Sequence, residues 1–224
     1  MIDRRKLVAF TAPMLLFVAL LVVSDILKKI GGSFWVVSAE YWIYPTQVIL
    51  CGGVLSWFWR EYRLQPPRRI SFGLAIGLLV FVLWISPQMF FGFSPRITGF
   101  DPTIFADQKL LYWATIFFRF LRLVLVVPLV EEIFWRGFLL RFLVNENFEQ
   151  VPFGKFSWMS FAIVTLAFGF SHSRADWPAA ILTGMLYNWV AYRTKSLSTC
   201  VLTHSVTNLF LGLWIMHTGQ WGFW

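Results

Sequence analysis

Charge is what this sequence has least of. Lys, Arg, Asp and Glu supply 13% of the 224 residues, roughly half their share in a soluble domain. So few charges cannot coat a globule of this size, which excludes a soluble enzyme. Disorder is excluded too, because it needs low hydrophobicity and abundant charge. Cysteine is equally scarce. Cys51 and Cys200 sit singly in apolar surroundings, without the paired spacing of a disulfide framework or a zinc knuckle. The His-Glu-x-x-His zincin motif is missing, and His172, His204 and His217 are the whole histidine complement. There is no internal repeat, low-complexity tract or soluble linker.

What the sequence has instead is apolar surface. Hydrophobic residues reach 58%, with 25 Phe and 13 Trp, and the mean hydropathy is +0.67. The chain is therefore read as an integral membrane protein. Its net charge of +8 fits basic loops beside anionic headgroups rather than nucleic acid. The expected partners are membrane lipid and a membrane-associated protein or peptide, with no nucleic acid.

A bilayer core of about 30 Å takes roughly 20 helical residues. On that measure the apolar runs predict an all-α, polytopic bundle of about seven spans: Leu7–Ser24, Tyr41–Trp59, Ile70–Met89, a long stretch Leu110–Val144, Trp158–Ser171, Pro178–Val190 and Leu197–Trp214. The first run lacks an Ala-x-Ala-like site before Asp25 and reads as a retained anchor. The long stretch is expected to divide into an interfacial or tilted lead-in with Arg119 and Arg122, then a span through Leu123–Leu143. The aromatic tail with Trp221 and Trp224 suits an interface. With seven spans and the N-terminus inside, twelve Lys and Arg lie in inner segments against five in outer ones. This predicts a cytoplasmic N-terminus in the plasma (inner) membrane of a prokaryote.

Ionisable groups within apolar spans are costly and so are functional candidates. In Pro128-Leu-Val-Glu131-Glu132-Ile-Phe-Trp-Arg136, Glu132 and Arg136 stand four apart on one helical face and can neutralise each other. Glu131 points about 100° away. A carboxylate held there suits general acid–base work; a buried ion-pair node that fixes packing is the structural alternative. His172 ends the fifth run. His204 and Asn208 project from one face of the seventh, with no acid near them in sequence.

Glu131-Glu132-x-x-x-Arg136, Phe168-x-x-x-His172 and His204-x-x-x-Asn208, in that order on successive apolar helices, resemble the three motifs of the CAAX prenyl protease and bacteriocin-processing (CPBP, Abi) family. These are intramembrane proteases of the Ras-converting-enzyme type. The resemblance covers roughly Leu123–Leu213 and implies a catalytic core, assigned to 110–224; residues 1–109 carry no motif and are read as additional N-terminal transmembrane helices. It also implies an intramembrane endopeptidase in which Glu131 and His172 activate water. His204 and Asn208 would form the oxyanion hole, Arg136 would orient Glu132, and the site would face the cytosol. No cofactor is expected. A zinc ion held by Glu131, His172 and His204 is the metalloprotease alternative, disfavoured because Asn208 is a poor zinc ligand and a good oxyanion donor. Two rivals remain: a transporter or scaffold that uses the polar cluster for binding, and a cysteine transpeptidase built on Cys200.

Overall fold

The computed structural model describes residues 3–224, and the regular structure among them is all helical, with no strand. Asp3 starts α1 (Arg4–Ile30) by accepting the Arg5 N–H on its carboxylate. A short turn of helix, α2 (Phe34–Val37), leads to α3 (Glu40–Trp57) and then α4 (Ile70–Phe90). One continuous helix of 34 residues, Lys109–Phe142, follows. It comprises α5 (Lys109–Leu121), α6 (Val127–Glu132) and α7 (Leu140–Phe142), joined by π-helical stretches at Arg122–Val126 and Ile133–Leu139. The last three helices are α8 (Trp158–Phe170), α9 (Trp177–Thr194) and α10 (Leu197–Thr218).

Four helices are long and apolar enough to cross a membrane: α1, α4, Lys109–Phe142 and α10. The other three predicted runs appear as α3, α8 and α9, so seven apolar runs give seven rods. The expected division of the long stretch is not seen. Arg119 and Arg122 lie within the continuous helix and are buried, because α3 and the C-terminal turn cover them with aromatic rings.

The bundle has two distinct ends. At the basic end Arg5 meets Glu61 at 2.7 Å, Lys6 pairs with Glu149, and the Arg68 N–H donates to Thr199 Oγ1 at 2.8 Å. At the aromatic end Arg96 pairs with Asp176 and lies 4.4 Å above the Phe223 ring, and Tyr41 stacks on Phe100 at 4.5 Å. The C-terminal turn Trp221–Phe223 is folded onto this end. Glycines let the rods touch closely. A Cβ on Gly77 of α4 would stand 2.7 Å from the Thr203 carbonyl of α10, and one on Gly169 of α8 would stand 2.4 Å from Ile181 of α9. Both helix pairs need hydrogen at those positions, as small-residue packing in membranes requires.

Candidate active site

Local backbone chemistry sets the site. Pro128 has no N–H, so the helix before it widens, and the Val127 N–H reaches back five residues to the Arg122 carbonyl. Leu123 then has no backbone donor: its α-helical partner, Val127, is engaged elsewhere, and its π-helical partner would be Pro128. Asn208 of α10 supplies the missing donor, Nδ2 to the Leu123 carbonyl at 2.9 Å. The motif proline and the motif asparagine are thus complementary across two helices.

Glu132 and Arg136 are fully buried and paired as the i,i+4 spacing predicts, Nη1 donating to Oε1 at 3.1 Å. The guanidinium is held further by Asn188 of α9. Its Nε donates to Asn188 Oδ1 at 3.1 Å, and the Asn188 amide donates to Thr165 of α8 at 3.1 Å. The same Glu132 Oε1 lies 2.9 Å from His204 Nδ1. This corrects the reading that no acid stands beside His204. The acid comes from a helix 72 residues earlier, beyond the reach of sequence spacing.

These contacts fix two tautomers. A carboxylate paired with arginine only accepts, so His204 Nδ1 carries a hydrogen, and Nε2 bears one only when the ring is an imidazolium. His172 Nδ1 donates to the Phe168 carbonyl at 2.8 Å; its neutral ring therefore keeps a lone pair on Nε2. Phe168 and Trp84 flank that ring at 4.8 and 5.7 Å. Glu131, by contrast, has no ion-pair or hydrogen-bond partner among the described residues.

Glu131, His172, His204 and Asn208 all line one cavity of about 420 Å³. The cavity runs from mid-bundle to the aromatic end, where Asp176, Phe223 and Trp224 also line it. That end is opposite Arg4–Lys6. The charge alternation and the family resemblance therefore assign the cavity to opposite sides of the membrane. Cys200 is buried in apolar packing and does not line the cavity; His217 is exposed near the end of α10. No three His, Cys, Asp or Glu side chains among the described residues are grouped to hold a metal ion. Glu131, His172 and His204 as placed are not grouped as a zinc site.

Spacing arguments missed Asn188, Gln47, Arg119 and Arg122. The signal was there: each is a polar residue inside a hydrophobic run, the criterion that singled out Glu131.

Fold and cavity define a polytopic helical membrane protein with an interior chamber on which its polar motif side chains converge. Residues 112–210 match the family model of Type II CAAX prenyl endopeptidase Rce1-like proteins, a stretch that holds all three motifs, so over this part the chain is similar to that family. No curated protein and no solved structure matches the chain.

Proposed function

We propose that the chain is an intramembrane endopeptidase that cleaves a membrane-associated peptide by direct water attack. A water between Glu131 and His172 gives up a proton to this pair, and its oxygen bonds to the peptide carbonyl carbon. The carbonyl oxygen becomes an oxyanion that accepts hydrogen bonds from the second Asn208 N–H and from His204 Nε2–H. The carbon–nitrogen bond then breaks, and the stored proton goes to the leaving amine. His204 donates as an imidazolium, for which Glu132 is the adjacent counter-ion, while Arg136, Asn188 and Thr165 hold Glu132 still. The observation that carries this reading is the convergence of the four motif side chains on one cavity.

Asn208 gives the sharpest test of the oxyanion assignment. Removing one such donor typically lowers kcat by about 10²–10³. Asn208→Ala should do so with little change in KM. It should also cost about 1–3 kcal/mol of stability, because the Leu123 carbonyl loses its donor. Turnover is therefore read per folded molecule. Asn208→Asp should be at least as harmful, since a carboxylate can donate neither to Leu123 nor to an oxyanion. An unchanged kcat per folded molecule would remove Asn208 from the reaction.

Metal dependence is tested separately. Exhaustive chelation should leave cleavage intact, and elemental analysis of active protein should find well under one metal per chain. Stoichiometric zinc, with turnover lost and regained on its removal and return, would assign Glu131 and the two histidines to a ligand role.

A further inference from the structure

The end of the cavity nearest the aromatic turn holds buried hydrogen-bond donors that have no acceptor, while its one carboxylate side chain, Asp176, is already paired with Arg96. Arg119 is 2% exposed, and its Nε and Nη1 are buried without any partner. Its guanidinium is boxed by rings, at 4.6 Å from Tyr44, 5.0 Å from Phe100 and 5.5 Å from Trp224. The Trp224 indole Nε1 is likewise buried without an acceptor. One helical turn on, Arg122 donates Nε to Gln47 Oε1 at 2.6 Å and lies 4.2 Å above the Tyr44 ring. Neither arginine is paired with a carboxylate among the described residues. Both line the same cavity as Glu131, as does Trp224.

Two guanidinium groups beside each other in apolar surroundings are costly unless something negative joins them. Cation–π contacts offset part of that cost. They leave Nε and Nη1 of Arg119 unsatisfied. An indole and a guanidinium fork, all donors, complement an acceptor, and an anionic oxygen most strongly. We propose that Arg119, Arg122 and the Trp224 indole form an anion-binding subsite that takes a carboxylate of the peptide substrate.

The depth of the subsite favours a peptide over a lipid headgroup. Arg119 lies ten residues into its helix, about 15 Å along the axis from Lys109. Arg122 is nine residues from Glu131, about 13 Å along the same axis, a distance that roughly four extended residues cover. A peptide in the cavity can thus hold its carboxylate at the arginines while a backbone bond a few residues away lies at Glu131. Naming the ligand as substrate rests on the proteolytic reading; the anion preference does not, and it is measured without cleavage.

The full chain, in nanodiscs of zwitterionic phosphatidylcholine, is titrated with two fluorescent, end-blocked apolar peptides that differ only in one Glu or Gln. Short-chain phosphatidic acid serves as competitor. The Glu peptide should bind at least about tenfold more tightly than the Gln peptide, equally in wild type and in Glu131→Gln. Arg119→Gln and Arg122→Gln should each abolish most of that advantage and leave Gln-peptide binding unchanged. Arg119→Lys, which keeps the charge but not the fork, should retain part of it and controls for folding. Absence of cleavage by the wild-type protein with the Glu preference intact would count against the protease and leave the subsite standing. Equal binding of the two peptides would overturn the subsite. Displacement of the Glu peptide by phosphatidic acid at lower concentration than by unlabelled peptide would overturn the peptide assignment in favour of a lipid phosphate.

Discussion

Glu131→Gln should abolish peptide hydrolysis while the protein stays folded. A positioned general base typically contributes about 10²–10⁴-fold, and the amide is isosteric but cannot take a proton from water. The structure makes this substitution unusually clean. Glu131 has no ion-pair or hydrogen-bond partner to lose among the described residues, and it faces a cavity instead of a packed core. Thermal stability should therefore change little or rise slightly. Turnover of a peptide substrate, measured beside the melting transition in the same detergent, checks both halves. A folded Glu131→Gln protein with wild-type turnover would return the cavity to a transporter or scaffold role.

The fold was legible in the sequence because the bilayer imposes a simple rule: long apolar runs become rods, and their order follows the chain. The boundaries of α4 and of α8 agree with the hydropathy runs to within a residue or so. The three motifs were legible for the same reason that they are costly, as polar groups set in grease. Sequence spacing shows only one helical face at a time. It therefore predicted the Glu132–Arg136 pair, which lies within one helix, and could not anticipate the His204–Glu132 contact between helices. Nor could it anticipate what surrounds Arg119 and Arg122, because the rings of Tyr44, Phe100 and Trp224 come from distant parts of the chain. The π-helical register at Arg122–Val126 was foreshadowed by Pro128, yet its consequence, a free carbonyl met by Asn208, needed the neighbouring helix in place.

Glu132→Gln should be the most damaging of the two acid substitutions for stability, and it should also lower activity. Breaking a buried ion pair from one side leaves an uncompensated charge and costs about 3–5 kcal/mol, and Arg136 is fully buried with no second carboxylate to turn to. The role in activity comes through His204, whose Nδ1 bonds the same oxygen that Arg136 does. With glutamine at 132, the imidazolium loses its counter-ion, so oxyanion donation from Nε2 weakens even in molecules that fold. The two effects separate in a second variant. Glu132→Gln combined with Arg136→Gln removes both charges and should recover part of the lost stability, because a neutral buried pair no longer carries the desolvation cost. Asn188 and the Gly184 carbonyl, which also contact Arg136, keep that recovery incomplete. Activity per folded molecule should stay low in the double variant, because His204 still faces an amide. If turnover instead returns in step with stability, Glu132 serves packing alone, and His204 does not draw its donor strength from it.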